Sequence, residues 1–161
     1  MKLKELLKDK LTKKELEILK ISFDTVGDIA IIEIPDELKK KEKYIANSIV
    51  SLHPHIKTVC KKTSGREGEF RTRSMKKILG KSTETIHKEH GCKYKMDVTK
   101  VYFSPREATE RQRISSQVDS GEKILVMFSG VGPYAIAIAK NHPDANIYAI
   151  EKNPAGHKYA K

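Results

Sequence analysis

The sequence predicts an α/β protein in two parts. Residues 1–115 read as an α+β part with a mostly antiparallel sheet, and residues 116–161 as the first β-α-β unit of a Rossmann-like domain. Three observations carry this. An apolar run, Lys123–Met127, leads into Gly130-Val-Gly132, and a second run, Ile147–Ile150, ends at Glu151, 21 residues after Gly130. An interval of about 20 residues is expected between a glycine-rich turn and the acid that binds a ribose. Upstream, short β-rich runs alternate with turn residues, and apolar stripes at helical spacing flank them.

The elements follow in order. Leu3, Leu6, Leu7, Leu16 and Leu19 recur at helical spacing, and Thr12-Lys-Lys-Glu15 is a capping box; a short helix and a restart at Thr12, running to about Lys20, are expected. Ile21–Val26 and Ile29–Ile34 flank Gly27-Asp28 and predict a hairpin. Pro35-Asp36 opens a helix with the stripe Leu38, Ile45, Ile49 and Leu52, closed by His53-Pro54. Ile56–Cys60, Thr83–His87, Tyr94–Val98 and Val101–Phe103 are candidate strands, with turns at Thr63–Gly68 and His90-Gly91. Ser104-Pro105 starts a helix through about Val118, and Ser120-Gly121 turns the chain into Lys123–Met127. A domain boundary is expected near 115–121. The final β-α-β unit is expected to be parallel, because a right-handed crossover makes it so.

The 161 residues carry 32 Lys and Arg against 21 Asp and Glu, a net charge of +11. Such a balance favours a polyanionic partner, nucleic acid first. Cys60 and Cys92 have no C-x-x-C spacing and read as buried thiols of a reducing cytosol. No apolar run approaches the ~18 residues of a membrane span. A soluble cytoplasmic protein without a membrane partner is expected. His53-Pro-His55 and His87-x-x-His90 lack accompanying acids or cysteines, so no metal is expected. Lys39–Lys41, Lys43, Lys61, Lys62, Lys76, Lys77 and Lys81, with Arg66, Arg71 and Arg73, form a phosphate-contacting surface if they share a face, and otherwise a solvated one.

The β-α-β unit carries the chemistry. Its glycines admit a ligand close to the backbone, and the helix beyond Pro133 presents unpaired N–H groups. Glu151 can accept hydrogen bonds from both ribose hydroxyls. Residue 135 is Ala, not the third glycine of G-x-G-x-x-G. A cofactor without phosphates, such as S-adenosyl-L-methionine, therefore suits the turn better than a dinucleotide.

Asp97-Val-Thr-Lys-Val-Tyr-Phe-Ser-Pro-Arg106 and Glu107-Ala-Thr-Glu-Arg111, with Met127-Phe-Ser-Gly-Val-Gly-Pro-Tyr134 and Ile150-Glu-Lys-Asn-Pro154, closely resemble the archaeal and eukaryotic tRNA (guanine-N1)-methyltransferases. Wybutosine-pathway aminocarboxypropyl transferases share that scaffold. The resemblance runs from about residue 15 onward and is most specific over 90–154. It implies a class I methyltransferase domain, S-adenosyl-L-methionine as cofactor, tRNA as partner and N1-methylation of the guanosine 3′ of the anticodon, position 37. Residue by residue, Glu110 matches the general base, Arg71 an arginine assisting catalysis near the guanine, and Tyr102 an aromatic beside the cofactor. Arg111, Glu151 and Lys152 match cofactor-contacting positions, joined by Gly130 and Gly132 of the turn.

The chemistry suits these residue types. Guanine N1 is protonated and needs a base, which contributes about 10²–10⁴-fold. Charge developing on O6 is stabilised by a guanidinium. Three positions depart from the family pattern. Val126 stands where an acid is usual, Gly156 where a helix former is expected, and the family's Asn-x-Pro segment would lie beyond residue 161. The chain is therefore expected to be a fragment truncated at its C-terminus, with exposed apolar sheet edges. It is expected to be inactive alone, with its last ~40 residues poorly ordered, aggregation-prone or completed by a second chain. The alternatives are a non-catalytic tRNA-binding module or a fragment of an aminocarboxypropyl transferase.

Overall fold

The computed structural model describes residues 2–161. These divide into two compact units, one of residues up to 66 with 73–85, the other of 67–72 with 86–161. The division falls at 85, ahead of the 115–121 stretch marked by turn residues. Among the described residues no helix is long and apolar enough to cross a membrane.

The first unit begins with helices α1 (Leu3–Leu6) and α2 (Lys13–Ile18). Thr12 caps α2 as its sequence predicts: its hydroxyl accepts from Glu15 N–H, and the Glu15 carboxylate accepts from Thr12 N–H at 2.7 Å. Strands β1 (Phe23–Val26) and β2 (Ile29–Ile32) form the expected antiparallel hairpin, with Val26 opposite Ile29. A 3₁₀ turn at Asp36–Lys41 leads into α3 (Glu42–Leu52), which buries Ile45, Ala46 and Ile49. The chain then returns as β3 (Thr58–Glu67), parallel to β2, and β4 (Thr72–Leu79) completes a sheet ordered β1-β2-β3-β4. Leu3, Leu7, Leu11, Ile32, Leu38, Ile45, Ile49, Ile56 and Val59 lie in one core. Each fully buried aliphatic contributes about 1.5–3 kcal/mol.

Two expectations fail here. Thr63–Glu67 is not a turn but the outer half of β3, and β4 had not been anticipated at all. Lysines and polar residues on an exposed hairpin leave no apolar alternation for a sequence pattern to detect. Only the tip, from Gly68 to Arg71, reverses the chain, both residues having positive φ (68° and 49°).

The second unit holds the hairpin β5 (Glu84–Glu89) and β6 (Cys92–Asp97), whose first two residues, Glu84 and Thr85, fall in the first unit. Val101–Phe103 is not a strand. Lys100 and Val101 N–H both turn back to Asp97 O, so Val101 closes a turn and Tyr102 and Phe103 continue without strand pairing. A 3₁₀ turn at Pro105–Glu107 opens α4 (Ala108–Ser115). Then β7 (Lys123–Met127), α5 (Pro133–Asn141), β8 (Asn146–Ile150) and α6 (Pro154–Ala160) follow, with β7 and β8 parallel and Met127 opposite Ile150. Helix α5 buries Ala137 and Ile138. Leu125, Met127, Tyr148 and Ile150, two cross-strand pairs on one face, are all more than half exposed (56–63%).

One buried charge organises the first unit. The Glu42 carboxylate accepts from Lys61 Nζ at 3.1 Å and Lys76 Nζ at 2.7 Å, and Lys61 is itself buried. Burial pushes the Glu42 carboxyl up, but the two ammonium hydrogen bonds outweigh it and hold it below its ordinary value. Glu42→Gln leaves the buried Lys61 ammonium only the exposed Asp36 carboxylate, at 3.3 Å, and should cost about 1–3 kcal/mol in denaturant unfolding. Because the folded carboxyl is depressed, its stabilisation is full above the unfolded carboxylate value and is lost as pH falls through the folded one.

Candidate active site

All eight predicted site residues (Arg71, Tyr102, Glu110, Arg111, Gly130, Gly132, Glu151 and Lys152) lie in the second unit. The turn after β7 is where their geometry is tightest. Phe128, Gly130 and Gly132 have φ of 55°, 58° and 76°, a run of left-handed backbone costly for any side chain but glycine's. Gly132 is the N-cap of α5, with Pro133 at the first helical position. Phe128 adopts this conformation without glycine's freedom and is 87% exposed. Such strain marks functional turns more often than structural ones.

Glu151 ties this turn to the end of β8. One carboxylate oxygen accepts from Gly130 N–H and the other from Asn153 N–H, both at 2.6 Å. Each oxygen keeps a lone pair free to accept from a further donor, such as a hydroxyl. Asn153 caps α6 through Ala155 N–H, and its amide donates to Lys100 O at 2.9 Å. Helix α6 then passes so close that a Cβ on Gly156 would sit 3.1 Å from both Glu151 Cγ and Gly130 O. This gives a reason for the glycine that departs from the family pattern: a side chain here would push α6 and the turn apart by a few tenths of an ångström.

Tyr102 adjoins the same turn, its carbonyl oxygen 3.5 Å from where a Gly130 Cβ would lie. Its hydroxyl donates to Glu107 Oε1 at 2.8 Å. The Arg71 guanidinium, at the tip of the β3–β4 hairpin, sits 5.6 Å from the Tyr102 ring centroid. Lys152 Nζ is paired with Glu69 of the same tip at 2.5 Å. Arg71, Tyr102, Gly130, Glu151 and Lys152 are thus linked through neighbouring contacts.

Arg111 and Glu110 differ sharply although adjacent. The Arg111 guanidinium is buried and gripped by Glu89 in a two-point pair, Nε to Oε1 at 2.5 Å and Nη2 to Oε2 at 2.8 Å. Nη2 also donates to Ser104 O at 3.1 Å, and the Phe103 ring lies 5.1 Å away. Nη1 is buried without a hydrogen-bond partner, with Glu107 Oε2 at 3.7 Å. Burial pushes Arg111 down, but Glu89 outweighs it and raises the guanidinium further. Burial likewise pushes Glu89 up, and the Arg111 hydrogen bonds bring it below its ordinary value. Glu110 instead faces solvent, its carboxylate held by Arg113 through Nε at 2.8 Å and Nη2 at 2.6 Å. The Arg113 hydrogen bonds hold Glu110 below the usual carboxylate range.

Glu89, Glu107, Glu69 and Asn153 were not singled out by sequence. Asn153-Pro154 did carry a readable sign, an N-cap before a first-turn proline. Glu89 carried none, because its partner is 22 residues away.

Two outcomes follow from this geometry. Gly156→Ala should cost about 1–3 kcal/mol by overpacking α6 against the turn. Hydrogen exchange should show the Gly130 amide losing protection ahead of the α5 amides. Arg113→Ala should let the Glu110 carboxyl rise toward its ordinary value, seen as an upward-shifted titration of its side-chain carboxyl carbon by NMR. Glu110 would then be fully ionised over a narrower range on the acid side.

Comparison with known proteins fits this geometry. Residues 85–161 match the TRM5/TYW2 methyltransferase domain and residues 3–83 the TYW2 N-terminal domain. A tRNA (guanine(37)-N(1))-methyltransferase, Trm5b of Pyrococcus abyssi, is 49% identical over 142 residues, covering 88% of this chain and 42% of its own length. The structure of aTrm5 in complex with tRNALeu superposes with a TM-score of 0.87 at 37% identity, over 99% of this chain and 48% of that one. Methanocaldococcus jannaschii TYW2 in complex with AdoMet superposes with a TM-score of 0.59 at 28% identity, over 86% of this chain and 48% of that one. The chain therefore spans about half the length of the proteins it matches. With residues 3–83 and 85–161 both matched and the fold superposing over 99% of the chain, the chain belongs to the TRM5/TYW2 family.

Proposed function

We propose that this chain is the first half of a tRNA methyltransferase acting at N1 of guanosine 37, with S-adenosyl-L-methionine as methyl donor. The Glu151 clamp on the glycine turn carries the reading. The residues present fit that cofactor. Glu151 retains acceptor capacity for the ribose hydroxyls, and Gly130 and Gly132 keep the turn free of side chains. The buried Arg111 Nη1 has an N–H to give to an acceptor such as a carboxylate. Lys152, beside Glu151, would reach the same end of the pocket when released from Glu69.

When bound, the cofactor supplies an electrophilic methyl group on a sulfonium. In the proposed reaction Glu110 takes the N1 proton of guanine, leaving an electron pair on N1. That pair would take up the methyl group the bound cofactor supplies, whose sulfonium would leave as a neutral thioether. Arg71 meets the negative charge that grows on O6, and Tyr102, beneath the Arg71 guanidinium, fixes its position. Glu110 must leave Arg113 to act, since a carboxylate accepting two guanidinium hydrogen bonds is a weakened base.

The open face of Leu125, Met127, Tyr148 and Ile150 supports a further part of the proposal. Methyl transfer needs a second polypeptide segment, in another chain or in continuation of this one, to cover the sheet. The match of residues 3–83 to the TYW2 N-terminal domain favours one alternative, transfer of an aminocarboxypropyl group from the same cofactor. A non-catalytic tRNA-binding module is the other.

The test joins this chain to the half of P. abyssi Trm5b that it does not span and assays unmodified tRNA carrying G37 or A37. Expected are methyl incorporation into the G37 transcript alone, none by the 161-residue chain by itself, and a loss of about 10²–10⁴-fold with Glu110→Gln. Equal labelling of A37, or an unaffected Glu110→Gln, overturns the mechanism. Transfer of carboxyl label instead of methyl label selects the aminocarboxypropyl reading.

A further inference from the structure

We infer that the outer face of α3, in the first unit, is an RNA-backbone contact. This rests on the reading of tRNA as partner and assigns to it a surface with no part in the chemistry. The inner stripe of α3, Ile45, Ala46 and Ile49, is buried in the core. Its outer stripe, Tyr44, Asn47, Ser48 and Ser51, recurs at helical spacing and lines a shallow groove of about 240 Å³ with Leu6 and Lys10.

The groove's polar lining consists of an ammonium, an amide and hydroxyls, with no carboxylate. The one acid of α3, Glu42, is turned inward and neutralised by Lys61 and Lys76. Tyr44 is 48% exposed, an aromatic in open solvent. Two ammonium groups, Lys10 Nζ from the turn between α1 and α2 and Lys41 Nζ from the 3₁₀ turn, each lie 5.8 Å from its ring centroid. Two like charges gathered on one ring repel each other, and an anion between them removes that cost. Exposed Lys8, Lys39, Lys40 and Lys43 extend the positive edge along the same elements. Of the neighbouring acids, Glu5 caps Lys2 N–H, Glu15 caps Thr12 N–H within electrostatic reach of Lys41, and Asp9 and Glu37 are exposed.

A ring flanked by lysines, beside a row of short donors, suits a phosphodiester strand. Phosphates take the ammonium, amide and hydroxyl donors, and a ribose or base packs on the Tyr44 face. Leu6 alone is too little apolar surface for an amphipathic helix or a bilayer to bury.

Fluorescence anisotropy with labelled unmodified tRNA, over a salt series, tests this on the 161-residue chain. Lys10→Glu with Lys41→Glu should weaken binding about ten-fold or more and flatten the slope of log K against log salt by about 2. Tyr44→Ala should weaken it about five-fold or more with little change in slope, and Tyr44→Phe should restore it. Lys57→Glu with Lys81→Glu, the same charge change elsewhere, should do markedly less. All variants are checked for parental circular dichroism, and Gln replaces Glu where a reversal misfolds. Equal loss from the Lys57/Lys81 pair, an unchanged slope, or vesicle binding lost in place of RNA binding overturns the inference while leaving the tRNA reading intact. An unaltered chain that binds no tRNA overturns both.

Discussion

A buried guanidinium has to be paired, and in the second unit Arg111 is the side chain on which that requirement falls. It is the largest fully buried side chain of the molecule. Its two-point pair with Glu89 joins α4 to β5, its bond to Ser104 O fixes the segment before α4, and its plane lies against Phe103 and Tyr134. Removing either charge would leave the other desolvated, a loss far larger than that of an exposed pair. The direction of α4 is therefore set, and with it the position of Glu110 one residue before. A single pair thus holds one functional candidate in solvent by burying its neighbour.

The glycine turn obeys a different constraint, that of room. Three left-handed residues in five bring the Gly130 N–H to the Glu151 carboxylate, and α6 closes over the turn so tightly that a Cβ on Gly156 would lie 3.1 Å from Gly130 O. The turn is held from inside by protein donors, so its shape does not wait for a ligand. Preorganisation of this kind lowers the ordering cost of binding. It also accounts for Asn153, whose side chain bonds both Lys100 O and the first turn of α6.

The two constraints meet at Tyr102 and Glu107. The Tyr102 hydroxyl is held by Glu107, and Glu107 lies 3.7 Å from Arg111. Arg71, Tyr102, Glu107 and Arg111 thereby form a chain of charge and ring contacts from the hairpin tip to α4. On the proposed reading, the arginine beside guanine O6 and the helix bearing the base are linked through one tyrosine. That coupling makes Glu107 and Glu89 as relevant to geometry as the residues named for chemistry.

The sequence by itself determined the order of most elements and the position of the glycine turn. Thr12 with Glu15, Gly27-Asp28, the stripe of α3 and the interval from Gly130 to Glu151 are local patterns, and local patterns are written in consecutive residues. It did not reveal β4 or the true length of β3, because an exposed charged hairpin lacks apolar alternation, and it made a strand of Val101–Phe103 from propensity alone. Only the tertiary structure decided that Arg111 is buried on Glu89 while Glu110 is turned to Arg113. Only it showed how closely α6 approaches the turn at Gly156 and that Arg71 reaches Tyr102 from the hairpin tip. The Arg111–Glu89 pair and the reach of Arg71 to Tyr102 depend on residues far apart in the chain, and burial, unlike spacing, exists only once the chain has folded.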